Sequence, residues 1–364
     1  MSLSSEIAFI APPASHSDAS KSVFWESPSN IALVKYWGKH GIQLPANPSL
    51  SLTLKQSVTR MELTAFASEP GQGRLRTFYF DDKLNASFAE RFGVFIRSLY
   101  PAYPFLADID IVIKSHNTFP HSAGIASSAS GFSALALCIC SLQQFYLTVP
   151  LDEKQFRKAA SHIARLGSGS ACRSVYPGFS EWGKTPDFSG SDDAWAIQVN
   201  KDIHPEFKDL CDAVLLVDSK AKAVSSSQGH ALMTQHPYRE ARVAQAMGNM
   251  RLLKDCLQKG DWKTFISITE NEALSLHALM MSSSPGFILM NQNTINIIGL
   301  IREYRKRSAT PLCFTLDAGP NVHLLYRKQD KPEIKNFIET ELLSFCEDGR
   351  WIDDEAGNGP KRLK

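Results

Sequence analysis

The first third of the chain alternates polar and apolar residues in a way that is typical of β-strands. In SLSLTL (Ser49–Leu54) every second residue is apolar, and VTRMELTAF (Val58–Phe66) consists mostly of residues that favour strands. IDIVIKS (Ile109–Ser115) predicts a further strand. Between them, Ala86–Leu99 repeats apolar residues at helical spacing, which predicts a helix with one buried face. We therefore expect strands over about residues 23–80, then a helix and a strand.

Two loops rich in Gly, Ser and Ala occupy the middle of the chain, each beside a predicted helix. The loop at residues 120–131 leads into an apolar helix that we expect to continue to about Phe145. Asp152 is predicted to cap another helix that runs toward Arg165, and the second loop, Gly167–Ser174, follows it.

The second half of the chain mixes helices and strands without a regular βαβ order. This mixture predicts an α+β fold rather than a doubly wound parallel sheet. Helices are expected at Val243–Leu257, Trp262–Met280 and Thr294–Arg305, and strands at Asp193–Val199, Asp212–Asp218, Pro311–Leu316 and Val322–Arg327.

Length and composition indicate an ordinary globular protein with two domains. The 364 residues are 43% hydrophobic and 21% charged, which excludes disordered and fibrous classes. The net charge of +2 provides no overall attraction to nucleic acid or to anionic lipid. We expect an N-terminal domain over residues 23–205, a C-terminal domain over residues 206–364 and a disordered extension over residues 1–22.

Cysteine usage and hydropathy favour a soluble cytoplasmic protein. The seven cysteines include no CxxC pair, so a disulfide scaffold or a zinc ribbon is not expected. The extension lacks a basic residue before Lys21 and is broken by prolines, unlike a signal peptide. The most apolar run, Phe132–Cys140, has about half the length that spans a bilayer.

The first Gly/Ser/Ala loop has the composition of a phosphate-binding loop. Small residues let backbone N–H groups approach an anion, and the helix that follows adds the positive end of its dipole. Ser127, Ser128 and Ser130 add hydroxyls that suit phosphate or magnesium. The loop lacks the GK[ST] of a Walker A motif, and a tight strand-to-helix connection explains it equally well.

The second loop, GSGSACRS, ends in Arg173. No strand precedes it, and Cys172 stands where the third glycine of a dinucleotide fingerprint would be, so a Rossmann site is not predicted. The arginine can bind a carboxylate or a phosphate with two donors. The alternative is a flexible turn with a solvated arginine.

Three other segments carry isolated charges. Lys35, Trp37 and Lys39 share one face if they lie on a strand, which favours an anion between the two lysines, although edge strands also carry lysines. Asp317 in DAGPN stands where a strand ends, as a catalytic carboxylate or as a simple turn residue. AKAVSSSQGH (221–230) is by itself a helix cap. Together these groups indicate phosphoryl transfer to a phosphorylated substrate, and the ten scattered histidines predict no metal cage.

Five segments in order resemble the diphosphomevalonate decarboxylase family of the GHMP small-molecule kinase superfamily. They are SPSNIALVKYWGK, NTFPHSAGIASSASGF, ARLGSGSACRS, VSSSQG and FTLDAGPN, and the resemblance covers about residues 23–327. It implies two α+β domains with the active site in the cleft between them. It also implies ATP as co-substrate, Mg²⁺, the substrate (R)-5-diphosphomevalonate, the products isopentenyl diphosphate, ADP, phosphate and CO2, and often a homodimer.

The resemblance also implies roles for individual residues. Asp317 looks like the base for the 3-hydroxyl, Arg173 like the group that orients the substrate carboxylate, and Lys35 like a cation near the transferred phosphoryl group. Asn30 resembles a residue that positions substrate and arginine, and Ser128 one that meets the ATP phosphates and magnesium. Further substrate-binding positions are Tyr36, Trp37, Gly38, Lys39, Arg91, Ser168, Gly169, Ser170, Ala171, Cys172, Ser226 and Ser227. Further ATP-binding positions are Asn117, Ser122, Gly124, Ile125, Ala126 and Ser127.

The sequence departs from the family pattern at a few places and leaves alternatives open. His121 and Ser122 stand where the family usually has Thr-Ala, and Ser227 where some bacterial members have arginine. The extension has no family counterpart, and the helical stretch between the two loops is longer than usual. A 5-phosphomevalonate decarboxylase, a mevalonate kinase of the same superfamily, and an inactive relative remain alternatives.

Overall fold

The computed structural model describes residues 20–120, 125–199, 202–219 and 226–364, apart from the side chains of Ser226 and Ser227. Most of the predicted N-terminal extension and the segment 121–124 therefore lie outside the described residues.

Within the described residues, helices and strands are interspersed along the chain, as the α+β prediction requires. The strands are β1 (Lys21–Val34), β2 (Lys39–His40), β3 (Leu44–Pro45), β4 (Ser49–Ala67), β5 (Leu75–Phe80), β6 (Lys83–Leu84), β7 (Ile109–Asn117), β8 (Phe179–Trp182), β9 (Ala196–Gln198), β10 (Leu210–Leu215), β11 (Leu312–Thr315), β12 (Val322–Arg327), β13 (Trp351–Glu355) and β14 (Lys361–Arg362). The helices are α1 (Ala86–Ser98), α2 (Ser127–Gln143), α3 (Glu153–Gly167), α4 (Pro205–Lys208), α5 (Ser226–Leu232), α6 (Arg239–Lys259), α7 (Trp262–Met281), α8 (Gln292–Ser308) and α9 (Lys331–Phe337).

The first domain is built on a sheet in the order β14-β1-β4-β7-β5-β6, in which β8 also pairs with β4 and β9 pairs with β8. All its pairings are antiparallel except β5 with β7. Alternate residues of β1, β4 and β7 pack against α1, α2 and α3 to form the core of this domain. The pairing of β1 with β4 is irregular between Pro28 and Asn30 and between Ala32 and Val34, where β1 approaches its end.

Helix α2 begins earlier than the sequence predicts, at Ser127 inside the expected loop. Almost the whole helix is buried against β1, β4 and α3. Its serines contact the sheet directly, because Ser27 donates to Ser133 over 2.7 Å and the indole of Trp25 donates to Ser141 over 2.8 Å. Small residues that resemble a loop in the sequence thus allow the helix to pack closely on the sheet.

The cap of α3 is confirmed. Asp152 accepts from the N–H of Gln155, and the Gln155 side chain accepts from the N–H of Asp152, which forms a capping box. The second Gly/Ser loop is not a flexible turn: residues Gly169–Val175 form a buried 3₁₀-helix directly after α3.

The second domain contains a four-stranded antiparallel sheet in the order β11-β12-β10-β13. One face, which includes Leu210, Val214 and Leu325, packs on α6 and α7. The other face, which includes Ala213 and Leu324, packs on α8 and α9. The sheet is therefore covered by helices on both sides.

Two predicted strands differ in extent from the observed ones. β10 starts two residues earlier than predicted and ends at Leu215, because the next N–H groups bond outside the ladder: Val217 donates to the Asn321 side chain over 2.7 Å. β9 is shorter than predicted because Asp193 turns toward β8, where its backbone oxygen accepts from the Trp182 indole over 2.8 Å.

The end of the chain joins the two sheets. Asp354 of β13 is fully buried and accepts from the N–H groups of Lys55, Gln56 and Ser57 in β4 over 2.7–2.8 Å. The segment after β13 then crosses back, and β14 pairs with β1 of the first sheet. These contacts fix the relative position of the two sheets.

In the described part of the chain no helix is long and apolar enough to cross a membrane. The seven cysteines are all buried and unpaired, as expected.

We predict that Asp354→Ala lowers the free energy of unfolding by about 2–5 kcal/mol, because three backbone donors lose an ionised acceptor at a buried site. Urea titration followed by circular dichroism measures this change. Glu339→Ala, at an exposed position, is the control. A loss below about 0.5 kcal/mol, as expected for ordinary surface positions, would show that Asp354 does not hold the sheets together.

Candidate functional site

A cleft of about 610 Å³ lies where the end of β1, the start of α2, the 3₁₀-helix and α5 meet the loop between β11 and β12. Residues from both domains line it, including Lys35 and Arg173 from the first and Asp317 and His230 from the second. The cleft therefore brings together residues from all five of the charged or loop segments that the sequence indicated.

An ion pair between the two domains lies in this cleft. The Lys35 Nζ donates to the Asp317 Oδ1 over 3.0 Å. The Lys35 side chain is only 2% exposed, whereas the Asp317 side chain is 25% exposed toward the cleft. Burial lowers the pKa of Lys35, and the Asp317 carboxylate offsets part of that effect. The Asp317 carboxylate thus contacts the buried Lys35 ammonium group on one side and is exposed to the cleft on the other.

A buried network fixes the backbone of Lys35. Its N–H donates to Glu272 of α7 over 2.8 Å, and its carbonyl accepts from Asn47 and Arg242, each over 2.9 Å. Arg242 and Glu272 also form a buried two-pronged ion pair with distances of 2.5 and 2.7 Å. The second domain therefore positions the lysine through its main chain as well as through Asp317.

The DAGPN loop is held at several points. The imidazole of His277 bonds the Asp317 backbone oxygen at 3.1 Å, and Thr294 donates to the Pro320 oxygen over 2.7 Å. Asn321 accepts from the N–H of Asp218 over 2.9 Å. The loop thus presents Asp317 from a rigid support.

Arg173 is buried, so the solvated-turn alternative is wrong. Its side chain is 2% exposed and donates to Ser51 over 2.5 Å and to Ser49 over 2.6 Å, both on β4. Asn30 lies nearby and donates to the Ser174 hydroxyl over 2.8 Å and to the Ser170 oxygen over 3.1 Å. The guanidinium is therefore held in place by neutral hydroxyls and keeps its positive charge for an anion in the cleft.

The start of α2 suits phosphate groups. Ala126 has a left-handed conformation (φ +45°), and no side chain in the described part of the chain caps the helix. The N–H groups of Ser127 and Ser128 therefore lie as donors beside the cleft, whereas that of Ala129 donates to the Ala126 oxygen over 2.7 Å. The hydroxyl of Ser128 lies 3.3 Å from that of Ser168.

The same place suits magnesium that is bound together with a phosphorylated ligand. No cluster of three His, Cys, Asp or Glu side chains within the described ranges is arranged to hold a metal ion. Mg²⁺ often takes most of its ligands from nucleotide phosphates and water. The hydroxyl of Ser128 fits such an ion as a single protein ligand.

Tyr36 and the 3₁₀-helix form another wall of the cleft. The hydroxyl of Tyr36 is buried and has no hydrogen-bond partner among the described residues, and burial raises its pKa. A Cβ on Gly169 would lie 2.9 Å from the Tyr36 ring and 2.8 Å from Trp182, so only glycine fits there. Because a buried donor without a partner is costly, this hydroxyl indicates a ligand oxygen.

Most of the residues singled out in the sequence line the cleft. These are Asn30, Lys35, Tyr36, Trp37, Lys39, Arg91, Asn117, Ala126, Ser127, Ser128, Ser168, Gly169, Ser170, Arg173 and Asp317.

Four others lie behind the wall of the cleft. Ala171, Cys172 and Ile125 are buried in the packed cores. Gly38 has a φ of +90° and turns the chain so that its N–H reaches the His230 ring. Ser122, Gly124 and the side chains of Ser226 and Ser227 lie outside the described residues.

Two groups of residues that line the cleft were not predicted from the sequence. The first is His230, which was not predicted because its segment, residues 221–230, indicated only a helix cap. The second is an aromatic group that was assigned no role in a site, because aromatic residues are typical of buried strands and helices. It consists of Phe78, Phe80, Phe88, Phe92 and Phe132.

Comparison with known proteins agrees with this geometry. A family model described as a diphosphomevalonate decarboxylase-like N-terminal domain matches residues 27–195, and one described as a mevalonate 5-diphosphate decarboxylase C-terminal domain matches residues 213–355. The diphosphomevalonate decarboxylase of Saccharomyces cerevisiae is 33% identical over 330 residues, which cover 86% of this chain and 79% of the yeast protein. That of Debaryomyces hansenii is 30% identical, with 86% and 81% covered.

Solved structures show the same fold. The mevalonate diphosphate decarboxylase of Staphylococcus aureus is 28% identical, with a TM-score of 0.79 and with 95% of this chain and 99% of that chain covered. The Enterococcus faecalis enzyme gives a TM-score of 0.79 at 26% identity, with 95% and 100% covered. Another neighbour is described as "MDDEF in complex with MVAPP, AMPPCP and Magnesium".

The shared architecture is thus the two-domain α+β fold of GHMP-type small-molecule kinases, with the site in the cleft between the domains. The matches to both domains and to the curated relatives go further: the chain belongs to the diphosphomevalonate decarboxylase family.

Proposed function

We propose that this protein catalyses the ATP-dependent decarboxylation of (R)-5-diphosphomevalonate to isopentenyl diphosphate, with ADP, phosphate and CO2 as the other products. The observation that carries the proposal is the Lys35–Asp317 pair, which faces the same cleft as Arg173 and the uncapped start of α2. This reaction needs a base, a group that binds the substrate carboxylate, and a site that binds phosphate.

The first step is phosphorylation of the substrate's 3-hydroxyl. A tertiary alcohol is a poor nucleophile, so the Asp317 carboxylate takes its proton while the oxygen attacks the γ-phosphoryl group. The bond between the γ-phosphorus and the bridging oxygen breaks, and ADP leaves with its electron pair. Lys35, with its ammonium group 3.0 Å from the carboxylate, adds positive charge near the transferred group. The pair works as a unit because the main chain of each partner is held in place, at the N–H of Lys35 and at the backbone oxygen of Asp317.

The nucleotide phosphates bind at the start of α2. The N–H groups and the hydroxyls of Ser127 and Ser128 face this part of the cleft. Mg²⁺ would be held here by the hydroxyl of Ser128 together with the nucleotide, and it would supply positive charge that neutralises the phosphate groups. Asn117 lines the cleft on the neighbouring strand β7 and completes the site on the side of the first sheet.

The second step is elimination with loss of CO2. The C3–O bond breaks, and the 3-phosphate leaves with the electron pair. The bond between C2 and the carboxylate then breaks, and its electrons form the new double bond. Arg173, with Asn30 beside it, holds the carboxylate so that this bond lies in line with the departing phosphate.

The 5-diphosphate group binds in the part of the cleft beside Tyr36 and the 3₁₀-helix. Lys39, the hydroxyl of Tyr36 and the backbone and hydroxyls of Ser168 and Ser170 line this part, and Ser227 belongs to the same group by family resemblance. We also propose that the protein acts in the cytoplasm as a homodimer, which the family resemblance supports.

We predict that ATP consumption is coupled to decarboxylation in a fixed ratio. With ATP and Mg²⁺, we expect one ADP, one phosphate and one CO2 for each isopentenyl diphosphate, because both steps occur in one cleft. Product analysis by mass spectrometry with mevalonate, its 5-phosphate and its 5-diphosphate in parallel measures the ratio. A reaction without substrate is the control for uncoupled ATP hydrolysis.

Other outcomes of this experiment assign other functions. Accumulation of a 3-phosphorylated product without CO2 would identify a kinase. Faster turnover of the 5-monophosphate than of the 5-diphosphate would identify a monophosphate decarboxylase.

We predict that the Arg173→Lys substitution lowers activity. Lysine keeps the charge but cannot donate to Ser49 and Ser51 while also forking onto a carboxylate. We therefore expect a large loss that falls mainly on kcat, measured by steady-state kinetics on a folded variant. A loss below about threefold, which is roughly 0.7 kcal/mol, would contradict the assigned role.

A further inference from the structure

His230 lines the cleft but has no role in the mechanism above. It lies on α5, is 9% exposed, and packs between Tyr36 and Trp37, with ring-centroid distances of 4.2 and 4.7 Å. The adjacent Gly229 lies so close to the Trp37 ring that a Cβ would approach it to 2.5 Å. The imidazole is therefore fixed in the wall beside the part of the cleft proposed to bind the diphosphate.

One hydrogen bond determines which ring nitrogen carries the proton. The backbone N–H of Gly38 donates to the Nδ1 of His230 over 3.0 Å. An accepting Nδ1 has no proton, so the proton of the neutral imidazole is on Nε2. The sharp turn at Gly38, with its φ of +90°, aims this N–H at the ring.

The surroundings keep the ring neutral. Burial lowers the pKa of His230 to about 3, and the positive charges of Lys39 and Arg173 act in the same direction. Protonation would also break the bond from Gly38. The ring thus offers a neutral donor at neutral pH.

This donor has no acceptor in the described part of the protein. The structure gives His230 a single hydrogen bond, at Nδ1. The ring of Tyr36 packs against the same imidazole. Its buried hydroxyl also has no hydrogen-bond partner among the described residues. With the ammonium group of Lys39 on the same wall, these groups supply donors and positive charge to the cleft and no anion of their own.

We infer that the Nε2–H of His230 donates a hydrogen bond to an anionic diphosphate oxygen of the bound substrate, which makes His230 a substrate-binding residue. This inference rests on the proposed function and specifies the part of the site that binds the diphosphate. A neutral donor strengthens binding without adding to the charge repulsion among Lys39, Lys35 and Arg173. A hydrogen bond to a charged group corresponds to a change of about tenfold or more in affinity.

Two substitutions distinguish the role of the Nε2 donor of His230 from that of its Nδ1 acceptor. In His230→Asn, the side-chain amide lies near the position of Nδ1, so it still accepts from Gly38 but offers nothing at Nε2. In His230→Gln, the amide reaches the position of Nε2 and restores a donor there, but it loses the acceptor for Gly38. The exposed His40→Asn is the matched control.

We expect His230→Asn to raise the KM for diphosphomevalonate about tenfold or more, with the KM for ATP and the melting temperature close to those of the wild type. We expect His230→Gln to recover most of this loss, to within about threefold of the wild-type KM. Calorimetric titration with diphosphomevalonate alone checks that the change in KM reflects binding.

Three results would overturn the inference. Normal substrate binding in the Asn variant with weak binding in the Gln variant would show that His230 acts only through Gly38. Equal weakening of both variants would assign the effect to ring packing, and no change in either would show that the donor is unused. Wild-type turnover is measured first, so a failure of the proposed function is recognised separately.

A spectroscopic measurement tests the inference without any substitution in the measured protein. In the ¹⁵N spectrum of histidine-labelled protein, the His230 signal, identified by its absence from the Asn variant, is expected to show the neutral Nε2–H form from about pH 5.5 to 8.5. Addition of diphosphomevalonate should shift the Nε2 resonance. An Nδ1–H form, or a charged ring at pH 7, would contradict the assignment.

Discussion

The ion pair between Lys35 and Asp317 is the interaction on which the site depends. It joins the end of β1 in the first domain to the loop after β11 in the second. The lysine is almost fully buried, so its charge is tolerated only because a carboxylate lies 3.0 Å away. The carboxylate, in contrast, keeps an open side toward the cleft. This difference in exposure lets one partner act on a substrate while the other holds it in place.

The remaining contacts around the cleft serve to fix groups that would otherwise be mobile or costly to bury. Glu272 and Arg242 hold the main chain of Lys35, and Asp354 holds the two sheets at a fixed distance. Ser49 and Ser51 bind Arg173 through neutral hydroxyls, so its charge remains available. A site assembled in this way is organised before the substrate binds, which is what phosphoryl transfer and the following elimination require.

Local pattern predicted the elements well, whereas burial and long-range contacts could not be predicted. The strand at Ile109 and the cap at Asp152 follow from alternation and from local hydrogen bonding. The start of α2 was misplaced because serine and glycine indicate a loop in isolation, and only the packing of Ser133 on β1 shows why they suit a helix. The partners of Arg173 and of His230 lie more than 100 residues away along the chain.

The central claim is that Asp317 acts as the base, and the kcat of a folded Asp317→Asn variant tests it most directly. The amide keeps the shape of the side chain and can still accept from Lys35, but it removes the base and the negative charge. Melting temperature and nucleotide affinity, measured on the same preparation, show whether the variant is intact. We predict a variant that binds ATP and substrate while kcat falls by at least the ~10²–10⁴ typical of a general base. A folded variant that retains more than about a tenth of the wild-type kcat would contradict the account, because such a loss is below that range.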